Sequence, residues 1–183
     1  MGSTYLALGD SMSIDDYTGV DGGGAVAQLF GRLGDPWSLD DRTEDGQVME
    51  GVPRGVTGEL ITLTIGGNNL LLEQSKILER GLASFARRHL AVLKRIRDDN
   101  PDAIFVVGNV YAPDAPLGKH LRVKLREANA VIAENVAEVG ARLADIEGAF
   151  EGRESELLTQ VIEPNLAGAK VIADLFAEAS GLI

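Results

Sequence analysis

Three apolar runs, each closing on a glycine, alternate with longer stretches whose apolar residues recur every three or four positions. That alternation confines the fold. The runs are Tyr5–Leu8, Leu60–Ile65 and Ala103–Val107, read in "LALGDS", "LTIGGNN" and "FVVGNVY". They are continuously apolar, as suits strands covered on both faces in a parallel sheet. A shorter run over Ala141–Ile146 predicts a fourth strand, and "WSLDDRT" from Trp37 predicts an edge or second strand. Between them lie helical patterns. Ala25–Leu33 is short and amphipathic, and Leu82–Arg97 places Phe85, His89 or Leu90, Val92, Leu93 and Ile96 on one stripe before Pro101 ends it. His120–Val139 stops at Gly140, and Leu166–Ala179 aligns Ala169, Ile172, Ala173 and Phe176.

Strands alternating with helices, joined by right-handed crossovers, give an α/β three-layer αβα sandwich with a mostly parallel sheet. The 183 residues suit one domain spanning 1–183, since no repeat, low-complexity tract or linker divides them. In such sheets ligands bind beyond the carboxyl ends of the strands. Those ends carry Gly9-Asp10-Ser11, Gly66-Gly67-Asn68-Asn69 and Gly108-Asn109-Val110-Tyr111. Trp37 and Tyr111, also near strand ends, are candidate pocket linings, with core packing the alternative for the tryptophan.

Composition narrows the chemistry. A net charge of −11 argues against nucleic acid or an anionic membrane as partner. Arg87, Arg88, Lys94, Arg95 and Arg97 are interleaved with apolar positions along one helix and read as a solvated face. There is no cysteine, which excludes disulfides, thiolate metal sites and a cysteine nucleophile. With two histidines, His89 and His120, a three-histidine metal site is impossible. No apolar stretch approaches the ~20 residues that span a bilayer. The strand beginning near Tyr5 leaves no room for a leader, and Leu6 stands where myristoylation wants serine or threonine, so a cytoplasmic location is expected. Oligomeric state has no signature in the sequence.

Ser11 invites a nucleophile reading. A free hydroxyl needs a base and donors for the oxyanion formed in acyl transfer. Candidate donors are the Ser11 backbone N–H, a glycine N–H such as Gly46, and the Asn68 amide. The local alternative is that Asp10 and Ser11 simply make a turn. His120, opening a helix on the same rim, is a candidate base; the competing reading is a solvent-facing histidine. His89 lies mid-helix and takes no role. Asp10, Asp15, Asp16 and Asp21 match no calcium-loop spacing and read as a solvated glycine-rich flap. Gly22-Gly23-Gly24-Ala25-Val26-Ala27 fits a dinucleotide fingerprint in letters, but a long loop separates it from the first strand, which that mechanism forbids.

Taken in order, these blocks resemble the SGNH, or GDSL, hydrolase family of esterases, lipases and acyl-transferring enzymes. Gly9-Asp10-Ser11 matches the block whose serine is the nucleophile. Gly46 in "TEDGQ" matches the oxyanion glycine, and Gly66-Gly67-Asn68-Asn69 matches Gly-x-Asn-Asp, with Asn69 replacing the aspartate. In "QVIEPNLAGAK" Pro164, Asn165 and Gly168 match the final block, while Gln160 and Glu163 stand where the family has its catalytic aspartate and histidine. The resemblance implies a flavodoxin-like sandwich, a small ester or acylated substrate, Ser11 as nucleophile, an oxyanion hole of Ser11, Gly46 and Asn68, and no cofactor or metal. Glu163 then becomes an unusual base, and Gln160 a neutral hydrogen-bond donor beside it. The alternative is a binding module on a hydrolase scaffold, holding an acyl, carboxylate or carbohydrate ligand.

Overall fold

Side chains alternate across β1 (Ser3–Gly9), and both faces are apolar, so the strand must be covered twice. In the computed structural model, which describes residues 2–183, Tyr5 and Ala7 enter one core and Leu6 and Leu8 the other. The first core is closed by α1 (Ala25–Leu33) and by the C-terminal helix, the second by two long central helices.

The remaining strands are β2 (Trp37–Thr43), β3 (Leu60–Thr64), β4 (Ile104–Gly108) and β5 (Arg142–Ala144), all parallel in the order β2-β1-β3-β4-β5. A short 3-10 turn (Met49–Gly51) precedes β3. After β3 come α2 (Gly67–Leu72), α3 (Gln74–Arg80) and α4 (Ala83–Asp99); α5 (Lys119–Glu138) follows β4. α6 (Ile146–Phe150) and α7 (Glu154–Leu157) follow β5. A small hairpin, β6 (Leu158–Thr159) and β7 (Glu163–Pro164), then leads into α8 (Leu166–Ser180). The expected αβα sandwich is the observed one, and the strand order is that of flavodoxin-like sheets.

Three readings change. β5 is confined to Arg142–Ala144, because Asp145 turns the chain and caps α6 by accepting from the Gly148 N–H. Trp37 sits at the amino end of β2, half-buried against the first core, on the rim away from the strand ends that form the crevice. The cations of α4 are not merely solvated. Arg97 donates to the carbonyls of Val139, Gly140 and Ala103, Arg95 donates to that of Val52, and Arg88 pairs with Glu50 and Glu73. These residues latch α4 to the loops around it.

Candidate active site

The strand order reverses direction at β1, whose neighbours β2 and β3 are reached by connections on opposite sides. The crevice therefore opens beyond the carboxyl ends of β1 and β3. Gly9 makes the turn possible there. Its φ is 132°, and a Cβ would collide with the Thr64 carbonyl, so only glycine lets β1 end against β3. The Asp10 N–H then donates to the Thr64 carbonyl at 3.0 Å, and Asp10 Oδ1 accepts from the Met12 N–H at 3.2 Å. That short turn presents Ser11 to a cleft.

One wall of the cleft comes from α2 and α3, through Leu70, Leu71 and Ile77. The other comes from the segment after β4 and from α5, through Val110, Leu121 and Leu125. Asp10, Ser11 and Asn68 line it as well. Its volume is about 120 Å³, near the ~150 Å³ of an apolar cavity that accepts benzene.

Glu163 reaches Ser11 from the hairpin. The Tyr111 hydroxyl donates to the Ile162 carbonyl at 2.6 Å, and the Asp114 N–H donates to the Val161 carbonyl at 2.8 Å. Asn165 caps α8 by accepting from the N–H groups of Ala167 and Gly168, and its amide donates to the Glu156 carbonyl. So held, Glu163 is 7% exposed, and its Oε2 has no hydrogen-bond partner among the described residues. Burial raises its pKa above the ordinary value; the nearby Ser11 hydroxyl opposes that rise and the Asp45 charge adds to it.

Asp10 is 1% exposed. Burial pushes its pKa up to about 7, with the Met12 N–H and Thr64 opposing and the Glu163 charge reinforcing the shift. Two buried carboxyls thus lie near the serine, and the Glu163 charge disfavours ionisation of Asp10.

Asn68 is half-buried at the start of α2, and its Nδ2 donates to the Gln47 carbonyl at 2.9 Å. A primary amide has two N–H bonds, so one remains free. Gly46 is exposed, with φ 71°, in the turn that the Gln47 N–H closes onto the Glu44 carbonyl.

Gln160 is not brought to Glu163. It is exposed at the hairpin tip, where Gln160 and Val161 both have positive φ (47° and 77°), and no hydrogen bond joins it to the carboxylate. His120 is exposed in the first turn of α5 and does not line the cleft. His89 is buried, stacked on Phe85, with Nδ1 against the Asn135 amide and its pKa lowered to about 4 by burial. The triglycine stretch serves the flap: Asp15 accepts from the N–H groups of Gly22 and Gly24.

Sequence reasoning missed Asp10 as a site group, although it stood inside the quoted motif, and missed both helices of the cleft wall. The run Leu70-Leu71-Leu72 beside Asn68 was the available signal.

A serine and a buried carboxyl lie beyond the carboxyl ends of a 2-1-3-4-5 parallel sheet, the site at which α/β proteins of the flavodoxin-like order bind ligands. The model of the GDSL-like lipase/acylhydrolase family matches residues 7–171, and the chain belongs to that family. Among solved structures, a Parabacteroides merdae protein described as GDSL-like lipase superposes with a TM-score of 0.81 at 15% identity, over 99% of this chain and 96% of that one. A lipase from a goat rumen metagenome gives 0.78 at 18%, covering 97% of each chain. A variant of an acetyl xylan esterase from Geobacillus stearothermophilus gives 0.75 at 16%, over 99% and 95%. At these identities the likeness is one of fold. No curated protein sequence matches the chain.

Proposed function

We propose that the protein is a serine hydrolase that cleaves a small ester or acyl group, with Ser11 as nucleophile and Glu163 as base. The observation that carries this reading is the position of Glu163: buried, one oxygen unpartnered, beside the Ser11 hydroxyl. As Ser11 Oγ bonds to the ester carbonyl carbon, its proton passes to the Glu163 carboxylate. The carbonyl oxygen becomes an oxyanion, held by the N–H groups of Ser11 and Gly46 and the free N–H of Asn68. Collapse breaks the bond to the alcohol, which leaves with the proton from Glu163. A water, deprotonated by the same carboxylate, then releases the acid and regenerates Ser11.

A carboxylate base has no tautomer to fix, so it needs no partner of the kind that aspartate is to histidine. What it needs is a raised pKa, and burial supplies one. The apolar walls suit a short acyl chain.

One observation favours a second reading, a binding module: neither histidine lies at the site, His89 being buried on the inner face of α4 and His120 exposed. A p-nitrophenyl ester series and a fluorophosphonate probe, run beside Ser11→Ala, separate the two. Turnover and labelling that depend on Ser11 are expected; their persistence in the variant refutes Ser11 as the nucleophile, and the absence of both in the wild type leaves the binding module.

A further inference from the structure

Asn69 stands where the family pattern has an aspartate, and its surroundings give a reason. It is 2% exposed, its Oδ1 accepts from the Met49 N–H at 3.0 Å, and its Nδ2 donates to Glu50 Oε2 at 3.2 Å. Glu50 Oε1 accepts from Arg88 Nη1 at 2.8 Å, and Arg88 also grips Glu73 through two bonds of 2.8 and 2.6 Å. The preceding residue, Asn68, donates to the Gln47 carbonyl at 2.9 Å. Two consecutive side chains of α2 therefore hold the backbone at 47 and 49 and the side chain at 50.

An aspartate at position 69 would still accept from the Met49 N–H, but it has no N–H to offer Glu50 and would oppose one carboxylate with another. Asparagine is the isostere that both accepts and donates. Residues 50 and 69 are thus chemically coupled, and Arg88 fixes Glu50 from the far side.

We infer that Asn69, Glu50 and Arg88 form a positioning unit that fixes the loop bearing Gly46 against Asn68, and that residue 69 is asparagine because residue 50 is glutamate. The inference rests on the oxyanion roles proposed for Gly46 and Asn68. None of the three residues touches the substrate; they act by holding the donors in register.

The test is a set of three variants, Glu50→Ala, Asn69→Asp and Asn69→Asp with Glu50→Gln, read by p-nitrophenyl acetate kinetics and by amide hydrogen exchange at residues 46–49. Glu50 is exposed, so Glu50→Ala keeps the fold whatever becomes of the buried site. A misplaced oxyanion donor costs rate more than binding, so Glu50→Ala and Asn69→Asp are each expected to lower kcat by about tenfold with KM within about twofold. Exchange at 46–49 should accelerate in both. The double variant places an amide donor opposite the new carboxylate and should recover kcat to within about threefold of wild type. Unchanged kcat in Glu50→Ala, or an Asn69→Asp defect that Glu50→Gln does not reverse, overturns the unit. If the wild-type protein turns over no ester, the proposed function fails on its own account, and exchange alone decides. Acceleration that the double variant reverses then upholds the coupling, and unaltered exchange refutes it.

Discussion

Ser11 and its two carboxyl neighbours set what can be measured one residue at a time. Glu163 must be ionised to accept a proton, and its pKa is raised. The rate should therefore be flat at high pH and fall as pH drops through that raised value, above where an exposed glutamate titrates. Glu163→Gln should lower kcat by ~10²–10⁴-fold and erase the acid limb of the pH–rate profile; a profile that keeps its shape in the variant refutes the assignment. Asp10 predicts a stability effect instead. With a pKa of about 7 in the fold against an ordinary 3.8, the folded protein favours the neutral acid of Asp10 over the carboxylate below that pH. Its contribution is complete below the unfolded value and is lost as pH rises through about 7. Asp10→Asn keeps the acceptor for the Met12 N–H and should flatten the decline of Tm between about pH 4 and 7, which thermal melts across that range would show.

Among the elements, most of the scaffold could be read in advance, because strand ends and helix stripes are local. β1 and β4 closed on their glycines as the apolar runs indicated, β3 stopped at Thr64, two residues before Gly66, and α1, α4, α5 and α8 fell on the predicted stripes. The hairpin β6–β7 was not legible. Its strands have two residues each, and its turn places Gln160 and Val161 at positive φ, which nothing in those residue types announces. That is why Gln160 looked like a partner for Glu163 and is a turn residue. Asn165 joins hairpin, α7 and α8, so Asn165→Ala should cost about 0.5–2 kcal/mol as a lost cap. It should also lower kcat by displacing Glu163, and a stability loss with kcat intact would count against the hairpin as the support of the base. Gly9→Ala should be worse, since its Cβ would meet the Thr64 carbonyl; soluble yield and Tm report it.

Across the molecule, the sheet separates two jobs. One core, capped by Phe176 and Phe150, carries stability, while the strand ends and the helices after them shape the cleft. Phe176→Ala should cost ~3–5 kcal/mol in chemical denaturation with little change in KM. Leu121→Trp should leave stability near wild type and shift ester preference toward shorter acyl chains, measured as kcat/KM against chain length. Equal losses at every length would remove the cleft as the acyl site. The layers, the strand ends and the serine at the first of them were legible in the chain alone, because periodicity and glycine turns are properties of a few adjacent residues. The burial of Glu163 beside Ser11, the electrostatics that Asp10 shares with it, and the answer of Asn69 to Glu50 emerged with the folded molecule. Those relations join residues far apart in the chain, and burial, which sets the proton affinities, exists only once the layers have closed over them.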